Sequence, residues 1–451
     1  MSDTFRRGAC PTLSQPMQTG DGLLVRLTPT GTTIPCEAFI ALCAAARSHG
    51  NGIIEITSRG GIQIRGLTES SVTPFAAQIG GIDMQFSEGT PLLCNPLAGI
   101  DAREIVDSVA LAADLRRAIA AAPFAATLAP KVTVAVDGGG TLHLDAVAAD
   151  ARLRADPTAG AAFLRVAVGG DAASETPLGS VAIQNAVDAV VRILGLISAR
   201  GRAARARDIV ATEGADAFRR AIANLVADRP LPSPRPPSDP VGVHLLGNGR
   251  VAIGVGLAFG HADSTALEEL MRTAVDVSAT GVRTAPGRTL LVVGLAAQNA
   301  RRLTEEAERL GFVVRGDDPR RRIVACAGAP ICAAGQIPTR SLAPKLAGVA
   351  ALASDGATIV HLSGCPKGCA CPRPTALTIV GIDGRAGVVV NGSARDPPLA
   401  MMTLDALPGG LSRLEGVVRG LRARDEGAAE ALSHLDRAQI ARLIRGEATR
   451  A

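Results

Sequence analysis

Aromatic residues are scarce in this chain of 451 residues, which contains nine Phe and neither Trp nor Tyr. Proteins that bind single-stranded nucleic acids stack the bases on aromatic side chains, so this scarcity argues against that class. The net charge of +5, from 47 basic and 42 acidic residues, is small for the length and does not indicate a nucleic-acid partner. The interior must be packed mainly from Ala, Val, Leu and Ile.

Long apolar runs are also missing from the sequence. No uninterrupted stretch reaches the ~18 residues of a membrane span, and the first residues lack the apolar segment of a secretory signal. We therefore expect a cytoplasmic protein without a membrane partner. In that compartment the nine cysteines are more often thiols or metal ligands than disulfides.

A proline-rich segment at residues 229–240 divides the chain near its middle and has the composition of a stiff, extended linker. The strands and helices predicted on its two sides follow the same order. Such self-similarity indicates duplication and two halves related by a pseudo-two-fold axis. We predict an α+β fold. The predicted domains are 1–95, 96–228, 241–322 and 323–451.

Two further β-hairpins are predicted from strand-like runs on either side of Asp- and Gly-containing turns. The runs are 131–136 with 141–144, and 376–382 with 386–390.

Four cysteines form two pairs in the second half of the chain. Five residues separate Cys326 from Cys332, and three separate Cys365 from Cys369. Both pairs lie in Gly- and Pro-containing loops beside predicted strands, where thiolates and backbone N–H groups can converge. A [4Fe–4S] cluster needs four thiolates, whereas structural zinc prefers closer knuckles and unligated Cys packs as a small hydrophobe. The pattern favours an iron–sulfur cluster over these two alternatives.

The other cysteines receive weaker assignments. Cys371, which closely follows the second pair, is an alternative ligand. Cys10 lies in an irregular arm and Cys94 ends a strand, so a contribution of either to a site stays open. Cys36 and Cys43 lie seven residues apart on one helix face and are assigned to the core.

The paired cysteines resemble the cluster signature of the sulfite and nitrite reductase superfamily. Thr57-Ser58-Arg59 with Gln63-Ile64-Arg65 resembles its T-[ST]-R-x-x-x-Q-[IF]-[RH] segment. The resemblance extends from about residue 10 to about residue 395. It implies ferredoxin-like half-domains in 1–95 and 241–322, a reductase-like α+β domain in 96–228, and a cluster-binding domain in 323–451.

Within that superfamily the sequence resembles the precorrin-3B synthase family of aerobic cobalamin biosynthesis. The similar segments are Arg7-Gly8-Ala9-Cys10-Pro11, residues 19–26, and residues 363–370, which read SGCPKGCA. The reaction implied is a monooxygenation, in which precorrin-3A is hydroxylated at a meso carbon with O2 and NADH and a ring acetate closes a γ-lactone. The implied cofactors are a [4Fe–4S] cluster and a non-haem iron, and an electron-donor protein is a possible partner.

Arg59, Arg65 and Lys131 are predicted to bind the tetrapyrrole. Precorrins carry many carboxylates, which arginine binds through two parallel hydrogen bonds. The resemblance places the two arginines near the tetrapyrrole, and Lys131 is one of only three lysines in the chain. None of the six histidines shows a metal-binding spacing, so the iron ligands and the catalytic residues are not assigned.

A sirohaem-dependent sulfite or nitrite reductase is the alternative function, with sirohaem or haem as its additional cofactor. Where those reductases carry K-x-K, this chain reads Lys131-Val132-Thr133, so one cation that would hold a small anion is missing. A one-cluster electron carrier and a zinc-stabilised protein are the non-enzymatic alternatives. The duplicated scaffold is larger than a carrier requires.

Overall fold

The computed structural model describes residues 11–30, 33–158, 162–227, 229, 235–347, 360–371, 373–421, 426 and 428–447. The prediction for Cys10 and the part of the predicted linker at 230–234 lie outside these residues. The described residues form four β-sheets, which belong to two pairs of similar topology.

The first half-domain places its strands in the order β1-β2-β4-β3. Isoleucine-rich strands bury one face against helix α1, which begins after Pro35 and ends at Gly50. Its elements are β1 (Met17–Thr19), β2 (Gly22–Leu27), α1 (Cys36–His49), β3 (Ile53–Ile56), β4 (Ile62–Leu67) and α2 (Glu69–Gly80).

The first α+β domain follows in the chain, and its six-stranded sheet is flanked by four helices. Its elements are β5 (Leu92–Cys94), α3 (Ser108–Ala121), β6 (Val134–Asp137), β7 (Ala149–Ala155), β8 (Phe163–Gly170), β9 (Thr176–Ala182), α4 (Ala186–Ser198), α5 (Ala206–Glu213), α6 (Asp216–Ile222) and β10 (Val226–Ala227).

The second half-domain repeats the strand order of the first, as β11-β12-β15-β14. Strand β13 instead joins the first sheet beside β3. The elements are β11 (Gly242–Leu245), β12 (Arg250–Gly256), β13 (His261–Asp263), α7 (Ser264–Asp276), β14 (Gly281–Ala285), β15 (Thr289–Ala296) and α8 (Ala300–Arg309). The repeated order agrees with the duplication that the sequence predicts.

The last domain repeats the topology of the first α+β domain. In both sheets three strands run parallel (β5-β6-β7 and β16-β17-β18) and the strands that follow are antiparallel. Its elements are β16 (Ile323–Ala325), α9 (Thr339–Lys345), β17 (Val360–Ser363), β18 (Thr375–Ile382), β19 (Arg385–Gly392), β20 (Ala400–Met402), α10 (Leu407–Leu421), α11 (Ala428–Ser433) and α12 (Arg437–Arg445).

One apolar core serves both half-domains. Phe39 and Leu42 of α1 and Leu270 and Met271 of α7 are fully buried and belong to the same cluster of contacting side chains. Each helix therefore covers its own sheet and also packs against the other helix.

The predicted hairpin that ends at residue 390 is confirmed. Strands β18 and β19 are joined by Asp383 and Gly384, whose φ angles are 50° and 71°. Two successive left-handed residues are what a tight turn between right-twisted strands requires, which explains the Asp-Gly sequence.

The predicted hairpin between 131–136 and 141–144 is wrong. Within it only Val134–Asp137 forms a strand, and β6 runs parallel to both its neighbours. The buried Asp137 carboxylate accepts the backbone N–H of Leu144 at 3.1 Å. In a hairpin, the Leu144 N–H would donate to a backbone carbonyl of the partner strand. Here it donates to the Asp137 side chain instead.

The buried Asp137 carboxylate also anchors the segment that leads into the second half. Arg235 bonds to Asp137 and, at 3.0 Å through Nε, to Asp145. Burial raises the pKa of Asp137, but the bonds from Arg235 and Asn95 outweigh this and hold that pKa below its ordinary value. The ion pair therefore stabilises the fold above pH ~4, the ordinary pKa of Asp.

Replacing Arg235 with Met should lower the free energy of unfolding by ~3–5 kcal/mol at pH 7, because it leaves a buried charge without a partner. Urea unfolding of wild type and variant measures this. The difference in unfolding free energy between wild type and variant should decrease as the pH falls below ~4, because the Asp137 carboxyl becomes protonated. Arg315→Met is the control, since its pair with Asp317 is exposed and should contribute little. Equal effects of the two substitutions would contradict the role of Arg235.

None of the helices in the described part of the chain is both long and apolar enough to span a membrane.

Candidate active site

A pocket of about 450 Å³ lies where the first half-domain, the turns of the second half-domain and the last domain meet. Its volume is within the ~300–1,000 Å³ typical of small-molecule sites. All four predicted cluster cysteines line it, at Cys326, Cys332, Cys365 and Cys369. Two loops separated by more than thirty residues thus place their thiols around one space.

The sheet of the last domain brings the two cysteine loops together. Cys326 directly follows β16, and Cys365 follows β17 after one glycine. These strands are parallel neighbours, so their carboxyl ends open at the same edge. The backbone N–H of Gly364 donates to Cys326 Sγ at 3.0 Å, which ties the loops at the sulfur itself.

Glycines allow the two loops to pack backbone against backbone. A Cβ atom on Gly364 would lie 2.9 Å from the Cα of Gly328, and one on Gly335 would lie 2.5 Å from the backbone N of Ala329. Both distances are too short for a side chain. The convergence of the thiols therefore depends on three glycines as much as on the cysteines.

The four thiols interact electrostatically. Burial raises the pKa values of Cys326 and Cys365, and backbone N–H groups partly counter this. The charge of Cys332 raises the pKa values of both, and that of Cys369 raises the pKa of Cys365. The positive charge of Lys367 lowers the pKa of Cys365, and a bound metal would favour the ionised form of its ligands further.

Four thiols around one pocket are the donor set that a [4Fe–4S] cluster requires. In the described residues, no three His, Cys, Asp or Glu side chains are placed to hold one metal ion. A zinc ion at ~2.3 Å from each sulfur would draw all four thiols within ~4 Å of one another. A [4Fe–4S] cluster takes its thiolates on separate irons, so its ligands surround a larger object and benefit from N–H donors.

Arg65 lies in the pocket, as the sequence indicates for a substrate-binding residue. It is almost fully buried and bonds to Asp21 at 3.0 Å. Its guanidinium also donates to the carbonyl oxygen of Ile331 at 3.3 Å, which belongs to the first cysteine loop. Arg65 thereby connects the first half-domain to the loop that carries Cys332.

The structure does not bring Arg59 and Lys131 to this pocket. The chain turns sharply where Thr57 N–H bonds to Gly61, and Arg59 points away to bond Thr133 Oγ1 at 2.7 Å. It lines a separate small cleft together with Cys94. Lys131 is exposed and lines neither cavity. Cys371 is buried but does not line the cysteine pocket.

Several residues that the sequence interpretation missed line the pocket. The charged side chains around it are five cations and one carboxylate: Arg26, Arg65, Arg288, Arg340, Lys367 and Glu55. Glu55 pairs with Arg340, and His261 is a further lining residue. Arg26 carried a usable signal, because it is the one charged residue within the otherwise apolar run GLLVRL.

The comparisons with known proteins agree with this architecture. Residues 15–81 match the family model of the nitrite/sulfite reductase ferredoxin-like half domain. The solved structure of the Mycobacterium tuberculosis NirA protein superposes with a TM-score of 0.75 at 20% identity, covering 93% of this chain and 84% of that one. This likeness confirms the predicted α+β fold.

Two curated relatives define the family. A sulfite reductase (ferredoxin) 2 of Mycolicibacterium paratuberculosis is 25% identical over 77% of this chain and 67% of its own length. A precorrin-3B synthase of Sinorhizobium sp. is 38% identical over 437 residues, which are 97% of this chain and 94% of that protein. An identity this high over nearly the whole of both chains shows that the protein belongs to the precorrin-3B synthase family, within the nitrite and sulfite reductase superfamily.

Proposed function

We propose that this protein converts precorrin-3A to precorrin-3B with O2 and NADH, as an iron–sulfur monooxygenase of aerobic cobalamin biosynthesis. The observation that carries the proposal is a single pocket that combines four cysteine thiols with five cationic side chains and one carboxylate. The substrate class comes from the name of the Sinorhizobium relative, and the chemistry comes from the family resemblance.

The charge of the pocket suits a polycarboxylate. A tetrapyrrole with acetate and propionate side chains brings many negative charges, and guanidinium groups bind carboxylates with fixed geometry. A pocket surrounded by one sign of charge also raises the local concentration of an oppositely charged ligand. The described cations therefore bind and orient the substrate beside the cysteine loops.

Cys326, Cys332, Cys365 and Cys369 would hold the [4Fe–4S] cluster. When bound, the cluster supplies single-electron transfer. The chain contributes the N–H donor of Gly364, which stabilises negative charge on Cys326 Sγ. The edge of the pocket formed by Arg65 and Arg340 fixes the first cysteine loop against the half-domain.

The non-haem iron implied by the family resemblance has no ligand set among the described residues. The overall reaction balances without specifying that centre: one oxygen atom of O2 enters as the hydroxyl group, the other leaves as water, and NADH supplies two electrons. The lactone oxygen comes from the substrate's own acetate.

The decisive experiment incubates the iron-replete protein with precorrin-3A and NADH under anaerobic conditions and then admits ¹⁸O2. We expect one labelled oxygen atom in the lactonised product, measured by mass spectrometry. A parallel incubation in H2¹⁸O under ¹⁶O2 should give no label. An iron-replete protein that incorporates no label from ¹⁸O2 would overturn the proposal.

Sulfite reduction is the second candidate, favoured by the likeness to the mycobacterial sulfite reductase. Lys131, the remaining member of the K-x-K position, is exposed and outside the pocket. That location argues against a cation cluster built for a small anion. Purified protein with a sirohaem absorption band and reductant-dependent sulfide production would favour this candidate over the oxygenase.

A further inference from the structure

Arg288 occupies an unusual backbone position at the edge of the cysteine pocket. It follows Gly287 in the turn between β14 and β15 and has a φ of 63°, in the left-handed region that residues with a Cβ rarely adopt. The same turn bonds to the first half-domain through Gly287 N–H and the carbonyl oxygen of Ser58 at 3.0 Å. Arg288 therefore stands where the matching turns of the two half-domains meet.

The segment that packs beside Arg288 leaves room for its side chain. Gly260 has a φ of 88°, and a Cβ there would lie 2.5 Å from Arg288 Cδ and 2.8 Å from its Nε. Phe259, directly before it, is also left-handed with a φ of 59°. Two non-glycine residues in strained conformations around one pocket indicate a functional constraint, because each such residue costs free energy that packing alone does not require.

The guanidinium of Arg288 has no carboxylate partner among the residues that the structure describes. Of the other arginines that line the pocket, Arg65 pairs with Asp21 and Arg340 with Glu55, whereas Arg26 donates to Gln63 Oε1 at 3.1 Å. Burial lowers the pKa of Arg288, with a small opposing effect from the Cys371 thiol.

His361, whose pKa the charge of Arg288 affects, cannot serve as its counter-ion. His361 on β17 is fully buried, and neither ring nitrogen has a hydrogen-bond partner. Burial, with a further contribution from the charge of Arg288, lowers the pKa of His361 to about 4, so the ring is neutral at pH 7. Arg288 lines the pocket, so a ligand bound there can supply a negative charge to its guanidinium.

We infer that Arg288 binds a side-chain carboxylate of the bound tetrapyrrole and so orients the macrocycle over the cysteine loops. This inference rests on the proposed function for its ligand class. It makes Arg288 a specificity-determining residue, because the planar guanidinium can donate two parallel hydrogen bonds to a carboxylate. The left-handed backbone of Arg288 and its contact with Gly260 fix the direction of the guanidinium.

Arg288→Met tests the inference with uroporphyrin III, a stable tetrapyrrole with eight carboxylates, as the probe. The dissociation constant from fluorescence titration should rise about 10- to 100-fold, the usual effect of losing one bidentate charge-assisted interaction. Arg288→Lys should recover only part of the affinity, because lysine keeps the charge but lacks the planar guanidinium that donates two parallel hydrogen bonds. Arg301→Met, on the exposed face of α8, is the control and should leave the constant unchanged.

Three further measurements on the same variants distinguish substrate binding from a merely structural role. Iron content and the urea midpoint of Arg288→Met should match wild type, and KM for precorrin-3A should rise more than kcat falls. An unchanged dissociation constant in an iron-replete Arg288→Met protein overturns the inference. The inference is also overturned if Arg288→Met and Arg288→Lys lose affinity and both lose iron to the same extent.

The outcomes also distinguish this inference from the proposed function. Wild type that incorporates ¹⁸O while Arg288→Met binds uroporphyrin III normally supports the function and overturns the role of Arg288. Wild type that incorporates no label yet loses porphyrin affinity in Arg288→Met supports the carboxylate site alone. Wild type that binds no polycarboxylate tetrapyrrole overturns both.

Discussion

Replacing Cys326 with alanine should yield a chain with almost no iron or acid-labile sulfide, against about four of each in wild type. Incorporation of ¹⁸O into the product should fall at least ~100-fold, since electrons then have no route into the pocket. Cys326 is the thiol that accepts the Gly364 N–H, so its loss removes a ligand and the bond that ties the two loops together. Metal analysis and the visible absorption of anaerobically purified protein measure the effect.

Cys371→Ala is the matched control for this substitution. Cys371 follows the second cysteine pair and is buried, but it lies outside the pocket. We expect Cys371→Ala to retain its iron and sulfide. If Cys371→Ala lost the cluster and Cys326→Ala kept it, the ligand set proposed here would be wrong.

Substituting Gly335 with alanine should be nearly as damaging, although it adds one methyl group far smaller than any cofactor. The new Cβ would meet Ala329 N and the carbonyl carbon of Gly328, each at 2.5 Å. Backbone atoms cannot rotate away as a flexible side chain does, so the first cysteine loop must shift. We expect iron content to drop more than tenfold, because a cluster needs all four cysteines in place and a shift of about 1 Å in the cysteines of this loop would prevent its binding.

Gly416→Ala is the control for the glycine substitution. Gly416 lies within α10, and no atom lies within 4 Å of the position of an added Cβ. In a helix interior this change should stabilise the protein by roughly 0.5–1 kcal/mol and leave iron content unchanged. A Gly335→Ala protein with full iron content would show that the first cysteine loop can shift without losing the cluster.

The sequence predicted those parts of the molecule that depend on local pattern. The repeated order of strands and helices appears in two sheets of identical strand order, and the Asp383-Gly384 turn matches its hairpin because its conformation is encoded by two adjacent residues. The cysteine spacing also predicted that four cysteines form one site, and all four line one pocket in the structure. Their role as ligands stays a prediction that the substitutions above test.

The sequence interpretation failed where distant side chains decide the structure. Residues 141–144 looked like a strand, but Asp137 takes the hydrogen bond that a ladder would have used. Arg59 looked equivalent to Arg65, yet it lies in the turn rather than on β4 and so points to another cleft.

Arg288 carried no signal at all in the sequence. Its place depends on a left-handed φ after Gly287 and on the contact with Gly260, which lies in a different connection of the same half-domain. Neither feature has a spacing or composition that distinguishes it from an ordinary turn. Residues of this kind are visible only when the chain is folded.

The shared interior of the two half-domains has a consequence for how the protein can be built and altered. Because α1 and α7 each complete the interior of the other's half, neither half can reach its native state alone. A gene split in the proline-rich segment would produce two fragments in which the apolar surfaces of α1 and α7 are exposed to water. The cysteine pocket, which is lined by residues of both halves, depends on the same shared interior.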